Sequence, residues 1–444
     1  MEAAQSSEPN RQALLSAIAL HKSGRLEEAE AAYLGILGKD RNDPDAMHYL
    51  GVLLFQRGHP LLAIDFVRKA LQIRPDNADA LNNLGNIYQQ LGGPADAAKA
   101  YKMALEEKPD HPQAERNLAI ALEKVKRLEE SAEEHRQAIE REPANAERLY
   151  ALADIYMDIS RIDEAMSTMK EALAIEPEPA RFRRLGQMLY GMRRIDEAAV
   201  VYEAWLRAEP ENPTARHMLA ACTLKDVPAR ADDAFVTETF DRFAGSFDEV
   251  LLLLEYRAPA LVGEALRRLD GEPRSDLDIV DAGCGTGLLA RYLRPHARRL
   301  IGVDLSRKMI AQAAKRAMYD DIVEAELTGY LRGSPAAFDV VASSDTLVYF
   351  GDLREVLTAA HAALRPQGRL VFTLEHAAND ADAPQGYRLQ PHGRYVHTET
   401  YVRNMLSGAG LEVIDIDKQA LRREGSSHVA GLLVLARRAG APNP

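Results

Sequence analysis

Residues 279–287 read Ile-Val-Asp-Ala-Gly-Cys-Gly-Thr-Gly, and residues 300–304 read Leu-Ile-Gly-Val-Asp. The first stretch is an apolar run that ends in an acid and continues into three glycines at alternate positions. Glycine allows a sharp turn and a close approach of the backbone to a ligand. An amphipathic pattern opens at Leu288, and the second apolar run follows it. The two stretches therefore predict a strand, loop, helix and strand of a doubly wound α/β sheet.

The acid that ends the second run, Asp304, indicates what the loop binds. In a doubly wound sheet such a carboxylate lies beside the first loop and accepts hydrogen bonds from ribose hydroxyls. The dinucleotide fingerprint places its third glycine or alanine at the fifth position after the first glycine. Here that position is Leu288. The spacing therefore favours a nucleoside cofactor that is not a dinucleotide.

The glycine spacing, with Asp281 two residues before the first glycine, resembles motif I of the class I S-adenosylmethionine-dependent methyltransferases. The resemblance covers about residues 233–440 and implies S-adenosylmethionine as cofactor. It also implies a seven-stranded Rossmann-like sheet, preceded by a helical lid at residues 233–265. The cofactor-binding residues that it implies are Phe240, Tyr256, Asp281, Gly283, Cys284, Gly285, Gly287, Asp304, Leu305, Met309, Glu326, Leu327 and Ser344.

Some of these assignments have alternatives. Glu326 at the end of a predicted strand, residues 322–327, competes with Glu324 for the adenine amine. Met309 fits an adenine contact or plain core, because methionine often fills gaps in cores. Cys284 is expected to fill the loop and not to act as a nucleophile. The remaining strands are predicted at residues 338–345, 368–375, 411–416 and 429–435, the last of them antiparallel.

Methyl transfer from a sulfonium depends mainly on holding donor and acceptor close and aligned. A general base is optional, since a carboxylate or thiolate is already nucleophilic whereas an amine must lose a proton. Glu375 and His397 are the preferred base candidates. A salt bridge for Glu375 and structural roles for His397 and Tyr395 are the alternatives. The candidates for positioning or deprotonating the acceptor are Asp345, Tyr349, Glu375, Tyr395 and His397.

A second pattern occupies the first half of the chain. Prolines recur every 34 residues, and a further one follows 33 residues later, at Pro75, Pro109, Pro143, Pro177 and Pro210. Small residues, large residues and turn glycines repeat in register with them, and the whole resembles tetratricopeptide repeats. We expect six helical pairs over about residues 10–212, separated internally at Gly24, Gly58 and Gly92, and a capping helix at Pro213–Cys222.

Such repeats stack into an α-solenoid with a concave groove. Polar residues on the first helices of the third and fourth repeats resemble the asparagines by which some tetratricopeptide grooves hold peptide backbone. A solvated polar face is the alternative. These candidate peptide-binding residues are Asn82, Asn83, Asn86, Arg116 and Asn117.

Composition excludes several classes of protein. The chain has 444 residues, a formal net charge of -12 and two cysteines, Cys222 and Cys284. This net charge disfavours broad affinity for nucleic acid or anionic membranes, and no stretch reaches the roughly 18 apolar residues of a membrane span. The cysteine count predicts neither a disulfide framework nor a metal cluster, and we expect a cytoplasmic protein. One local basic cluster contains Arg181, Arg183, Arg184, Arg193 and Arg194.

These patterns predict a solenoid domain at residues 1–222 followed by a methyltransferase domain at residues 223–444. The leading functional hypothesis is methyl transfer to a protein or peptide that the groove recruits. The alternative is methylation of a small or carrier-bound acid or natural-product intermediate, with the repeats used for docking or assembly. A non-enzymatic interaction scaffold is a third hypothesis. The oligomeric state is left open, with a dimer among the options.

Overall fold

The computed structural model describes residues 8–377, 379–424 and 427–439. The chain divides into two compact units, Met1–Arg181 and Phe182–Pro444. The outermost residues of both predicted domains, 1–7 and 440–444, lie outside the described residues. The division falls inside a helix of the sixth predicted repeat, whereas the sequence-based domain boundary at 222/223 follows the repeat pattern and stays a prediction.

The first unit is helical. Its helices are α1 (Glu8–Lys22), α2 (Leu26–Lys39), α3 (Pro44–Gln56), α4 (Pro60–Ile73), α5 (Ala78–Gln90), α6 (Pro94–Glu107), α7 (Pro112–Arg141), α8 (Ala146–Asp158) and α9 (Ile162–Ile175).

The 34-residue period has a local cause. In repeats two to five, a side chain just before the first helix accepts a hydrogen bond from a backbone N–H of the first turn, which has no acceptor within the helix. These capping residues are Asp43, Asn77, His111 and Asn145. The predicted turn glycines, Gly24, Gly58 and Gly92, have φ of 79°, 85° and 84° and end the first helices of repeats one to three. The predicted helical pairs are confirmed there.

The fourth repeat differs from this prediction. Its two helices form one continuous helix, α7, of 30 residues. The position equivalent to the turn glycines is Lys126, which lies inside the helix. A left-handed residue is costly for any side chain with a Cβ, whereas lysine continues a helix readily. The helix therefore runs through the place where the other repeats turn.

The second unit begins with the rest of α10 (Pro179–Gly191), α11 (Ile195–Ala208) and the predicted capping helix, α12 (Pro213–Thr223). Nε2 of His217 on α12 lies 2.8 Å from the carbonyl oxygen of Gly393 in the sheet region. The other helices are α13 (Asp233–Phe243), α14 (Phe247–Leu253), α15 (Ala258–Asp270), α16 (Ala290–Leu293), α17 (Arg307–Lys315), α18 (Leu327–Arg332), α19 (Arg354–Ala363) and α20 (Glu399–Gly408).

One mixed sheet lies at the centre of this unit. Its strands are β1 (Leu277–Ala282), β2 (Ala297–Asp304), β3 (Asp321–Glu324), β4 (Phe338–Ser343), β5 (Leu364–His376), β6 (Tyr387–Leu389), β7 (Tyr395–His397), β8 (Leu411–Glu424) and β9 (Ser427–Arg438).

The order β3-β2-β1-β4-β5 is parallel, and β9 continues it antiparallel to β5, with β8 beyond. All seven predicted strands are present, and the fold class is confirmed. The short hairpin β6–β7, which pairs with the last two residues of β5, was not predicted. Three-residue strands are too short to show an alternating pattern.

Helices cover both faces of the sheet. One apolar core contains Val280, Val341 and Phe372 with residues of α18 to α20, and the other contains Ile279, Val340 and residues of α15 and α16. Neighbouring positions of one strand thus point to opposite cores, as the two-residue period of a strand requires. None of the described helices has the length and apolar character that crossing a bilayer requires.

Candidate functional site

A cavity of about 440 Å³ lies within the second unit, at the carboxyl ends of the parallel strands. Ligands of open α/β sheets bind at this edge. One part of its wall is the glycine loop after β1. The opposite parts come from α13 and α14 and from helices α10 to α12.

The glycine loop has a backbone that only glycine adopts readily. Gly283, Gly285 and Gly287 have φ of 78°, 52° and 84°. A Cβ at Gly283 would lie 2.1 Å from Oγ1 of Thr346, whereas one at Gly285 would meet nothing closer than a carbon of Phe247 at 3.9 Å. The first glycine is therefore required by packing as well as by conformation. Gly283, Cys284 and Gly285 line the cavity, and Gly287 packs behind the loop.

Asp304 closes the loop from the end of β2. Its carboxylate accepts hydrogen bonds from the backbone N–H groups of Gly285 and Ser306, each at 2.8 Å. Burial raises the pKa of this carboxyl, although the backbone donors oppose the rise. Each carboxylate oxygen retains a lone pair for a ribose hydroxyl. Asp304 and Leu305 both line the cavity, as predicted.

Asp281 lies beneath the loop and is not part of the cavity wall. The hydroxyl of Tyr319 donates to Oδ2 of Asp281 at 2.6 Å, and Oδ1 is buried without a partner among the described residues. Burial raises the pKa of the Asp281 carboxyl to about 7. The first acid of the motif therefore supports the loop from below.

The segment after β3 forms the part of the cavity wall where the sequence predicts the adenine ring. Glu326 and Leu327 line it. Contrary to the predicted strand end, Glu326 caps helix α18 and accepts from the N–H groups of Thr328 and Gly329 at 2.9 and 2.6 Å. Burial opposes the charge, but these donors lower the pKa of Glu326. Met309 is fully buried away from the cavity, so its placement favours the core alternative.

The predicted lid segment forms α13 and α14 and is tied to the cofactor loop by polar contacts. Asp248 accepts hydrogen bonds from the Thr286 hydroxyl and from Arg316. The Ser306 hydroxyl donates to Asp241 at 2.6 Å. Phe240 of the same segment lines the cavity, and its ring meets the Tyr349 ring edge-on at 5.5 Å. The segment therefore covers the loop with an aromatic wall.

The loop after β4 brings three predicted residues together at the cavity: Ser344, Asp345 and Tyr349. Asp345 has φ of 50° and accepts hydrogen bonds from Arg422 at 2.7 Å and from the Thr373 hydroxyl at 2.9 Å. Its carboxylate is thus already engaged. The Tyr256 hydroxyl is hydrogen-bonded to Ser344, and burial raises the pKa of Tyr256.

Glu375 is not part of the cavity wall. It is almost fully buried and pairs with Arg422 and with Nε of Arg394 at 2.6 Å. Burial alone would raise the pKa of Glu375, but the two arginines outweigh it and lower that pKa to about 2. A base of this kind holds a proton too weakly to deprotonate an acceptor. The geometry therefore favours the salt-bridge alternative for Glu375.

The remaining two candidates also have structural partners. His397 is fully buried, with Nε2 at 3.1 Å from the carbonyl oxygen of Gly351, and burial lowers the pKa of its ring to about 4. The Tyr395 hydroxyl donates to the carbonyl of Pro228 at 2.7 Å. Neither residue lines the cavity.

Several cavity residues were not predicted, and they come from segments far apart in the chain. His392 and Arg394 are brought in by the unpredicted β6–β7 hairpin, and Arg422 by β8. Arg183 comes from α10 and Arg242 from α13. The only sequence signal for any of them was the arginine cluster that includes Arg183.

Arg183 and Arg242 share one carboxylate, that of Glu238. Arg183 forms an ion pair with it, and Nη2 of Arg242 lies 4.0 Å away. The Thr214 hydroxyl donates to the other oxygen of Glu238 at 2.7 Å. Nε of Arg183 is buried without a partner among the described residues. Burial and the neighbouring Arg183 lower the pKa of Arg242. The pair therefore carries one positive charge more than its carboxylate neutralises.

The candidate peptide-binding residues lie in the first unit, where the asparagines among them contact one another. Nδ2 of Asn117 donates to Asn82 at 3.1 Å and to Asn86 at 2.9 Å. Nδ2 of Asn83 lies 2.9 Å from Nε2 of His48. Arg116 is exposed. The asparagines form a strip of hydrogen bonds between α5 and α7.

Comparison with known proteins agrees with this architecture. Residues 253–416 match a family described as a methyltransferase domain. Residues 14–78, and residues 54–119 and 122–189, match two families described as tetratricopeptide repeats.

Curated relatives resemble the C-terminal part. The malonyl-[acyl-carrier protein] O-methyltransferase of Enterobacter lignolyticus is 30% identical over 133 residues, which cover 29% of this chain and 53% of the relative. The Hahella chejuensis protein of the same name is 32% identical over 185 residues, which cover 38% of this chain and 63% of the relative. Human methyltransferase-like protein 27 is 44% identical over 82 residues, covering 18% and 33%. The chain thus spans about half the length of the first of these relatives.

Among solved structures, an S-adenosylmethionine-dependent methyltransferase from Mesorhizobium loti is 27% identical, with a TM-score of 0.32, and the match covers 39% of this chain and 96% of that one. The glycine loop, Asp304 and the cavity fit S-adenosylmethionine as the cofactor. The chain therefore combines tetratricopeptide repeats with a C-terminal S-adenosylmethionine-dependent methyltransferase domain.

Proposed function

We propose that the protein transfers a methyl group from S-adenosylmethionine to the carboxylate of a small or carrier-bound acid. The cofactor supplies an electrophilic methyl group. The chain's own residues hold it: the glycine loop gives the backbone room, Asp304 accepts from the ribose, and the lid aromatics exclude water. Alignment of donor and acceptor then accounts for most of the rate.

The observation that carries this proposal is the state of the titratable groups on the cavity wall. Asp345 is engaged by Arg422 and Thr373, and Glu326 by backbone N–H groups. His392 lies 3.5 Å from Glu375 through Nε2 and accepts a backbone N–H through Nδ1. An acceptor that needed a base would have to displace one of these contacts or use Tyr349, whose pKa burial raises. A carboxylate needs no base, because it is nucleophilic when ionised.

The excess positive charge of Arg183 and Arg242 supports an anionic substrate as well. A guanidinium binds carboxylate or phosphate with two parallel hydrogen bonds. Arg183 and Arg242 both line the cavity, where such an anion would contact their guanidiniums. The relatives named as malonyl-[acyl-carrier protein] O-methyltransferases agree with an acid on a carrier, whose thiol ester arm would extend along the apolar wall.

The test is methyl transfer from labelled S-adenosylmethionine with three acceptors: a malonyl thioester of pantetheine, its neutral methyl ester, and casein. We expect label only in the malonyl thioester, as an ester that dilute base releases as methanol. Asp304→Ala serves as the blank, because it removes the ribose contact. Base-stable label in casein would contradict the proposal.

Capture of a protein or peptide substrate by the repeats is the second candidate. The strip of asparagines between α5 and α7 supports it, since amide side chains offer both donors and acceptors to a peptide backbone. These groups already bond one another, so an incoming peptide would have to exchange existing hydrogen bonds for new ones. For this reason capture of a protein substrate is the second candidate. Methyl transfer to casein in the experiment above would support it.

A further inference from the structure

The two helices of a repeat meet at one recurrent contact. A small residue on the first helix faces a large residue sixteen positions later on the second. A Cβ at Gly51 would lie 2.7 Å from Val67, one at Gly85 would lie 2.4 Å from Tyr101, and one at Gly186 would lie 2.4 Å from Tyr202. The contact therefore holds each helical pair closed.

In the fourth repeat this contact is open. The equivalent residues are Ala119 and His135, and both lie on the straight helix α7. Sixteen residues of α-helix span about 24 Å, so the two side chains cannot touch within one chain. Nδ1 of His135 is buried without a partner among the described residues.

The helix faces that normally close a repeat are correspondingly exposed. Leu122 is 42% exposed, whereas the equivalent Leu54, Tyr156 and Leu189 are 7%, 4% and 0% exposed. Ala119 is exposed, and on the second half of the helix Ser131, His135 and Ala138 are only partly buried. Their equivalents in the third repeat, Ala97, Tyr101 and Ala104, are buried.

We propose that a second copy of this chain covers these faces. Two α7 helices would pack antiparallel, with the first half of each, about residues 112–124, against the second half of the other, about residues 128–141. This exchange would form the fourth repeat twice, each from two chains. The contact continues an interface that the other repeats already make within one chain, and an exchanged identical element is a common route to dimers.

The exchanged pair also offers a partner to the buried Nδ1 of His135. In the third repeat the Tyr101 hydroxyl lies 2.9 Å from Oδ1 of Asn86 and 3.4 Å from Oε1 of Gln89. The residues of the fourth repeat equivalent to Tyr101, Asn86 and Gln89 are His135, Ile120 and Glu123. Ile120 offers no side-chain acceptor, which leaves Glu123. In the exchanged pair His135 would therefore face Glu123 of the second copy, and a carboxylate is a good partner for an imidazole N–H.

The competing state is a closed hairpin within one chain. Ser160 and Arg193 occupy the turn position of the fifth and sixth repeats with φ of 59° and 60°. A residue other than glycine can thus take the turn, and Lys126 biases the helix against turning without forbidding it. The choice between an exchanged dimer and a closed monomer can therefore be shifted by one substitution.

The decisive test is a disulfide between two introduced cysteines in the full chain, Ala119→Cys with His135→Cys. In the exchanged dimer each cysteine meets its counterpart on the other chain, so oxidation should give a covalent dimer on a non-reducing gel. The single variants should give none, and they also control for Cys222 and Cys284. A cross-link within one chain, or no cross-link, would overturn the proposal.

Light scattering after gel filtration tests the same proposal without oxidation. The unaltered chain should have twice the mass of one chain, and Lys126→Gly should lower it to the mass of one chain. Lys126→Ala is the matched control, since it removes the same side chain but favours the helix and should leave the dimer intact. A single-chain mass for the unaltered protein, or a dimer that Lys126→Gly leaves unchanged, would overturn the proposal.

Discussion

The cofactor end and the acceptor end of the cavity are built in opposite ways. Residues 281–287 and 304–306 form the cofactor end, and backbone conformation and backbone hydrogen bonds fix it. The proposed acceptor end is assembled from α10, α13, β8 and the β6–β7 hairpin, and ion pairs to Glu375 of β5 fix it from behind. Burial raises the pKa of Asp281 to about 7, whereas arginines lower that of Glu375 to about 2 against burial. The cofactor end should therefore be most sensitive to substitutions that change the backbone conformation. The other end should be most sensitive to substitutions that remove a charge.

A change of shape at the cofactor end should have the largest effect. Gly283→Val combines a left-handed backbone with a Cβ 2.1 Å from Thr346. We expect complete loss of S-adenosylhomocysteine binding by calorimetry. The free energy of unfolding in urea should fall by about 2–4 kcal/mol.

Gly285→Ala is the matched control for this loop. It has the same left-handed conformation, but its Cβ would have 3.9 Å of clearance. Its free energy of unfolding should fall only by the cost of placing a residue with a Cβ in the left-handed conformation, about 1 kcal/mol. Equal losses for the two variants would mean that packing against Thr346 does not define the loop.

A change of charge at the acceptor end comes next. Glu375→Gln removes one of the two carboxylates that the buried Arg422 and the partly buried Arg394 share. This change should lower the free energy of unfolding by about 2–4 kcal/mol at pH 7. Because the pKa of Glu375 is lowered on folding, its stabilising contribution is present above about pH 4.5 and is lost as the pH falls towards about 2. The difference between the two proteins in urea melts should therefore shrink over that range.

Glu412→Gln provides the comparison on the same sheet. Glu412 pairs with Arg437 at 2.8 Å, but both side chains are largely exposed. Exposed pairs contribute little to stability, so this variant should melt like the parent protein. If Glu375→Gln did the same, the buried ion network would not be what fixes the acceptor end.

The ribose contact should have an intermediate effect. Asp304→Asn places an amide N–H₂ towards the N–H groups of Gly285 or Ser306 and removes a charged acceptor. A hydrogen bond to a charged group is worth about 1.5–3 kcal/mol, so the cofactor dissociation constant should rise about 10–100-fold. Glu324→Gln, at the paired position of β3, should leave it unchanged. An unchanged cofactor dissociation constant in Asp304→Asn would mean that Asp304 does not contact the cofactor.

The same contrast explains how much could be predicted from the sequence. The glycine loop and Asp304 were predictable, because their function depends on local backbone and on residues about 20 positions apart. The seven strands and most repeat helices were predictable from their periods. The base assignments for Glu375 and His397 found no support, because burial and ion pairing arise from Arg394, Arg422 and Gly351, which only folding brings near. The continuous helix α7 was not predictable, because Lys126 replaces the turn glycine but Ser160 and Arg193 take the same turn without one.

The smallest effect should come from the guanidinium pair, and it tests whether the acceptor end selects for charge. Arg183→Gln removes one of the two guanidiniums on the cavity wall and with it the whole excess charge. The KM for an acidic acceptor should rise about 10-fold, equivalent to about 1.4 kcal/mol, while the dissociation constant of the cofactor stays the same. Arg184→Gln changes an exposed neighbour on the same helix and should alter neither the KM nor the dissociation constant of the cofactor.

Arg183→Lys keeps the charge but loses the two parallel hydrogen bonds of a guanidinium. A KM between those of the parent and Arg183→Gln would therefore show that hydrogen-bond geometry matters as well as charge. A KM that is unchanged in Arg183→Gln would mean that the pair only holds α10 against the lid through Glu238.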